Sequence, residues 1–288
     1  MADDKDGGTR LTAVEIHENI VGPGEKELTR PAASLLWSAL ASGLVIGFSF
    51  VGGAYVASLV SPERGHAAFA AVYPLGFILV IMARSELFTE NTLVPVIPFL
   101  ERRDAKTFRL LLRVWALLLI GNLIGAAIFG WALARTPMVE PSLHAELGRL
   151  AAEATSGTFG RIVYAGVFAG WLIALLSWLL ASTHATGAQI VLIWICTAPI
   201  AALGFRHSIA GSVEAFYRAA SGGAGWGEML LGFVLPAVIG NAIGGVLLVA
   251  LLNYGQVVTE REGQPPSARK PRGRARHRHD EGGHGESS

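Results

Sequence analysis

The chain has 288 residues, 52% of them hydrophobic and 16% charged, with a net charge of +1. Soluble domains carry about a quarter charged residues, so this balance excludes an ordinary soluble domain, and the near-neutral charge gives no footprint for nucleic acid. The single cysteine, Cys196, excludes an intrachain disulfide and any zinc or iron–sulfur centre built on cysteine.

Residues 1–32 are polar and lack the apolar stretch of a cleavable signal peptide. Within them "LTAVEIHENI" (11–20) spaces Leu11, Val14, Ile16 and Ile20 in a roughly helical way, which predicts a short amphipathic helix on the cytoplasmic face. Residues 33–60 carry no charge. As a helix they would reach about 42 Å, enough to span a bilayer with tilt. Residues 66–100 form a second span, interrupted at "RSELFTEN", and 110–134 form a third. An acidic connection follows over 135–159, with Glu140, Glu146 and Glu153. From Ile162 to Phe205 there is no Asp, Glu, Lys or Arg. One helix of that length would extend about 66 Å, twice the hydrocarbon thickness. The run therefore divides at "STHATG" (182–187) into a fourth span, 162–181, and a fifth, 188–221, itself interrupted at "RHSIAGS". A sixth span covers 229–257, and 258–288 reads as a disordered basic tail.

Arg102, Arg103, Lys106 and Arg109 lie between spans two and three, and Arg269, Lys270, Arg272, Arg274, Arg276 and Arg278 follow span six. By the positive-inside rule both clusters and both termini are cytoplasmic.

The chain repeats itself. "GNLIGAAIFGWAL" begins at Gly121 and "GNAIGGVLLVALL" at Gly240, each after an interrupted span that holds an arginine, Arg84 or Arg206. Each half, 33–134 and 160–257, has three spans, so the second enters the membrane in the opposite sense. The expected fold is an all-α membrane protein with six transmembrane helices, an inverted 3+3 repeat and broken helices two and five. Broken helices in a bilayer are tolerated where they face a cavity or are bonded by protein. Half-helices starting near Thr89–Asn91 and Ser208–Gly211 would present free N–H groups to a small anion. Thr89, Asn91 and Ser208 can add side-chain donors. His207 is the only one of eight histidines placed deep in a span, and it can exchange a proton near neutral pH. Arg84 and Arg206 either line the path or pair with Glu86, Glu90 or Glu214 to lock the breaks. Asn122 and Asn241 are read as supports that bond across helices.

"SELFTEN" at 85–91, "GFRHSIAGS" at 204–212 and the two G-N-x-x-G segments resemble the signatures of the formate/nitrite transporter family. That resemblance implies an aquaporin-like fold, assembly as a homopentamer in the inner membrane, and one pore per protomer for small monovalent anions. It matches His207 to the central histidine and Thr89 to the loop threonine, and it assigns Leu87, Phe88 and Phe205 to hydrophobic constrictions. Certain positions depart from the family pattern: Arg206 replaces a glutamate, Gly211 an asparagine, Arg84 a glycine, and Glu214 an apolar residue. No lysine lies between Lys106 and Lys270.

The functional expectation is a channel or transporter for small monovalent anions of the formate/nitrite kind, or their conjugate acids. One alternative keeps the fold and carries a small cation or neutral species such as ammonium/ammonia. Another is a non-transporting membrane scaffold acting through its tail. No enzyme motif stands out, and neither a cofactor nor a metal is called for. The expected partners are the permeant ion, the lipid bilayer and further copies of the chain.

Overall fold

The structure, a computed structural model, describes residues 10–263, and the described chain is helical throughout, with no strand. The expected disorder of the tail beyond Gly263 falls outside the described residues. Helix α1 (Ala13–Thr29) starts on a capping box, Thr12 Oγ1 accepting from Glu15 N–H while the Glu15 carboxylate accepts from Thr12 N–H. It is followed by α2 (Ala32–Ser58), α3 (Pro62–Met82), a short α4 (Val96–Arg102), α5 (Ala105–Arg135) and α6 (Leu143–Ala154). The second half contains α7 (Phe159–Leu180), α8 (Thr186–Ala202), α9 (Ala210–Ala220) and α10 (Trp226–Gly263). Five of these, α2, α3, α5, α7 and α10, are long and apolar enough to cross a membrane, and α8 is a shorter apolar helix.

Local chemistry sets the starts. Asp104 caps α5 by accepting from Thr107 N–H at 2.9 Å, and Thr158 caps α7 by accepting from Arg161 N–H. Pro62 opens α3 at a position where a missing N–H costs nothing. Two π-helical turns, Leu230–Val234 and Val246–Leu251, interrupt α10. The first lies just ahead of Pro236, which cannot donate to the preceding turn. At the second, Gly245 lies against Thr92, whose hydroxyl occupies the space a Cβ would fill.

The two halves pack alike. α2 lies along α5, and α7 lies along α10. A Cβ on Gly125 would come within 2.7 Å of Leu44 N, and one on Gly244 within 2.8 Å of Trp171 N. Only glycine allows backbones so close, which is why both copies of G-N-x-x-G end on it. The core runs between the halves through Phe50, Phe77, Tyr217 and Phe233, all almost completely buried.

The connection 135–159 is more ordered than its acidity suggested. Leu143, Leu147, Leu150 and Ala151 form the buried face of α6, which packs on α9 and α2. That i, i+4, i+7 spacing is legible in the sequence. At the other end α10 continues to Gly263, past the boundary at 257.

Candidate functional site

Helices α3 and α8 end in the same way. Ser85 N–H donates to Val80 O and Arg84 N–H to Ile81 O, both at 3.1 Å. In the second half Phe205 N–H donates to Ile200 O at 2.9 Å and Gly204 N–H to Ala201 O at 3.2 Å. This paired closure is a Schellman motif, and it needs a left-handed residue at the turn. Arg84, with φ 59°, and Gly204, with φ 67°, fill that place. Glycine adopts it freely, whereas a side chain there costs roughly 1 kcal/mol.

Beyond each turn an asparagine holds the extended chain. Asn122 of α5 accepts from Phe88 N–H at 2.8 Å and donates to Glu86 O at 3.0 Å, Ala39 O at 2.9 Å and Ser42 Oγ at 2.8 Å. Asn241 of α10 accepts from Ser208 N–H at 2.8 Å and donates to Arg206 O at 2.8 Å and Gly166 O at 2.9 Å. Each clamp grips the residues on either side of one position. That position is Leu87 in the first half and His207 in the second.

His207 is 1% exposed and stands edge-on to Phe77, with ring centroids 5.0 Å apart. Its Nδ1 receives the N–H groups of Ile209 at 3.2 Å and Ala210 at 3.1 Å. An imidazole nitrogen that accepts carries no proton, so the ring proton sits on Nε2. Nε2 lies 2.9 Å from Thr89 Oγ1 and donates to it. One hydrogen bond thus joins the second break to the first.

These contacts correct one expectation. The N–H groups at the start of α9 are not left free for an anion. Ser208 donates to Asn241, Ile209 and Ala210 to the His207 ring, and Gly211 to His207 O at 3.0 Å. Buried donors find protein partners because solvent is out of reach. The first half-helix also begins later than expected. Glu90–Thr92 form a single 3₁₀ turn, and regular helix resumes only at Val96. Pro95 has no N–H to donate and stands as the N-cap just ahead of Val96.

A cavity lies against each break. The first, about 250 Å³, is lined by His207, Phe205, Arg206, Glu214, Arg161 and Glu153, among others. The second, about 330 Å³, is lined by Arg84, Ser85, Glu86, Glu90, Asn91 and the α1 residue Glu27, among others. Arg206 donates to Glu153 O at 3.1 Å and Ser156 O at 3.4 Å, which tethers it to the end of α6 and the turn that follows. Neither Arg84 nor Arg206 forms an ion pair among the described residues, and neither do Glu90 and Glu214. Glu86 pairs instead with Arg30 at 3.0 Å, and Arg30 also holds Glu27 at 3.0 Å. Burial and the neighbouring Glu86 carboxylate push the Glu27 carboxyl above the usual range, against the pull of Arg30.

Asn91 donates to Glu86 Oε2 at 3.0 Å and Leu87 O at 2.9 Å, leaving its buried Oδ1 without a partner. Ser208 Oγ is likewise buried and unpartnered. Among the apolar candidates, Phe205 stacks on Phe168 at 5.1 Å and borders the first cavity. Leu87 is fully buried, and Phe88 lies edge-on to Trp115 at 5.8 Å, so both face packed helices and line neither cavity. Sequence reasoning missed Tyr73 and Phe77, which form the wall beside His207. Their i, i+4 spacing in α3 was the available signal.

The family model for "Formate/nitrite transporter" matches residues 14–255. The chain belongs to this family. Its apolar helices make it a multi-pass membrane protein. Among its relatives, "Inner membrane protein YfdC" of Escherichia coli is 35% identical over 246 residues, 85% of this chain and 79% of that protein. "Uncharacterized transporter YrhG" of Bacillus subtilis is 29% identical, covering 83% of this chain and 91% of the relative. The "Probable formate transporter" of Methanothermobacter thermautotrophicus is 27% identical over 74% of this chain and 88% of its own length. The fold matches the solved structure "Pentameric formate channel with formate bound" with a TM-score of 0.68 at 21% identity, covering 79% of this chain and 98% of that one. The formate/nitrite transporter fold is thus present from α1 to α10.

Proposed function

We propose that each protomer conducts a small monovalent anion of the formate/nitrite kind, or its conjugate acid, along a path that passes His207 and Thr89. The reading rests on one observation: the imidazole lining the first cavity bonds the hydroxyl of Thr89, whose neighbours Glu90 and Asn91 line the second. Small-ion sites in transport folds sit where broken helices of two repeats meet. Here α2, α3 with α4, α5, α7, α8 with α9, and α10 are the six spans, and the second and fifth are broken. The halves 33–134 and 160–257 are inverted copies. Both termini face the cytoplasm of an inner membrane, with 1–32 and the tail from 258 on that side and 135–159 outside. The protomers assemble as a homopentamer.

In this path Arg206 and Arg161 attract the anion into the first cavity, and Arg84 does the same in the second. Ser208 and Asn91 offer polar atoms to the ion and its water. Asn122 and Asn241 hold the breaks open. Phe205 and Phe77 form the apolar wall beside His207 and exclude bulk water. Neither Leu87 nor Phe88 is assigned a constriction, because both pack inward.

Glu90 and Glu214, one in each cavity, favour a second reading in which a small cation such as ammonium is carried. Proteoliposomes holding the purified protein decide between the two. A formate or nitrite gradient sets a reversal potential of one sign, and an ammonium gradient sets the opposite sign. The anion reading predicts formate or nitrite flux above empty liposomes, faster at acid pH. Ammonium current without anion flux would replace it with the second reading.

A further inference from the structure

Resting on the anion reading above, we propose that Glu214 is the residue that selects which anions pass, by letting an anion through only together with a proton. Glu214 is 5% exposed, sits on α9 and lines the same cavity as His207. The titratable and charged groups around that cavity come from every element packed on it. They are His66 and Tyr73 of α3, Glu153 of α6, Arg161 of α7, and Arg206 and His207 of the second break. None of them forms an ion pair with Glu214. Arg218, four residues on in α9, donates to Thr155 Oγ1 at 2.8 Å, and Arg206 spends its guanidinium on the Glu153 and Ser156 carbonyls. Arg206 still acts on the carboxyl through space, but no hydrogen bond or ion pair among the described residues holds it, and it faces the cavity.

The two states of such a group act oppositely on an anion. Charged, it repels the anion from a narrow, poorly hydrated space, where like charges interact strongly. Protonated, it donates its O–H and can hand the proton over. In that step the O–H bond of Glu214 breaks and an O–H bond forms on the anion, leaving a carboxylate and a neutral acid. A hydronium ion of the bathing solution then restores the acid form. The neutral acid moves on past Nε2–H of His207 and the apolar faces of Phe205 and Phe77. Anions of weak acids satisfy this requirement, and anions of strong acids do not. The guanidinium groups of Arg161 and Arg206 draw both kinds into the cavity, so discrimination falls to Glu214.

The test uses the full chain in proteoliposomes, with formate as the weak-acid probe and thiocyanate as the strong-acid probe. Proton entry is followed by a trapped pH indicator. The wild type should carry formate with protons and exclude thiocyanate. Glu214→Gln keeps the shape and removes the proton. Its formate flux should fall by about tenfold or more, the usual worth of a positioned proton donor, while thiocyanate flux rises. Glu214→Asp should restore part of the formate flux and the exclusion of thiocyanate, which separates proton handling from a loss of folding. Faster passage of both anions in Glu214→Gln would make the residue a simple repulsive charge and overturn the proposal. Unchanged fluxes in both variants would overturn it too. A wild type without formate flux would defeat the pathway reading itself, whereas formate flux indifferent to Glu214 would defeat only this one.

Discussion

The two breaks share a frame and differ in content. Both follow a Schellman turn, and both are gripped by an asparagine from the next long helix that bonds one carbonyl and one N–H two residues apart. Inside that grip the first break holds Leu87 and the second His207. The left-handed position is Arg84 in one and Gly204 in the other. The carbonyl offered to the clamp belongs to Glu86 in one and Arg206 in the other. The backbone geometry is alike in the two while the side chains differ. The frame therefore answers the bilayer's demand that every backbone group be bonded, and the chemistry is free to be set by a few residues on it.

Removing a clamp should cost the most. Asn122→Ala leaves the Phe88 N–H without a partner in a buried place, while the Glu86 carbonyl keeps the Ser42 hydroxyl at 2.6 Å. At about 1–3 kcal/mol for an orphaned group, the expected loss is of that size. Asn241→Ala leaves both the Ser208 N–H and the Arg206 carbonyl without that partner and should cost more, about 2–5 kcal/mol. Thermal unfolding in detergent measures both. Melting temperatures within a degree of the wild type would show that the clamps carry no load.

The covers of the two cavities differ as well, and pH separates them. Helix α1 lies over the second cavity, and its His17 is fully buried against Arg261 and Tyr254. Burial first, and Arg261 second, lower the His17 pKa from 6.5 to about 4, although Glu101 lies 3.6 Å from Nε2. A lowered histidine favours the docked helix while the ring is neutral. That contribution is complete above pH 6.5 and is lost as pH falls toward 4, on the order of 3 kcal/mol in all. Protease protection of α1 should weaken between pH 7 and 5, and His17→Phe should flatten the change. Protection that rises on acidification would contradict the assignment. At the other cavity Arg206 holds α6 through carbonyls, so the α6 cover should not respond in this range through that contact.

The left-handed turn should respond least. Arg84→Gly gives the first break the residue of the second and relieves a left-handed side chain, a gain of about 1 kcal/mol. It should raise the melting temperature by a few degrees, and a fall would mean that the guanidinium makes a contact worth more than the strain.

Much of the frame was legible in the sequence. Charge-poor runs located the apolar helices, and the paired G-N-x-x-G segments announced that α5 and α10 play the same part. The unusual place of His207 and Thr89 was visible too. The geometry between them was not. Nothing in the letters says that the His207 ring caps its own helix, because Nδ1 reaches backbone N–H groups that a half-helix would otherwise leave open. Nor could the sequence show that Pro95 delays α4, so that the first break is longer and less regular than the second. Arg206 and Glu214 looked like natural partners, yet the guanidinium donates to two carbonyls and no ion pair closes between them. Such choices depend on where α6 and α3 arrive from, which local pattern does not encode.

The central claim is that the second break carries the pathway at the position where the first carries only packing. His207→Leu tests it directly, since it places in the second clamp the residue of the first. We predict that the variant still assembles and melts several degrees lower, because the Ile209 and Ala210 N–H groups lose Nδ1, while formate flux in proteoliposomes drops to that of empty vesicles. Wild-type flux in His207→Leu would contradict the account.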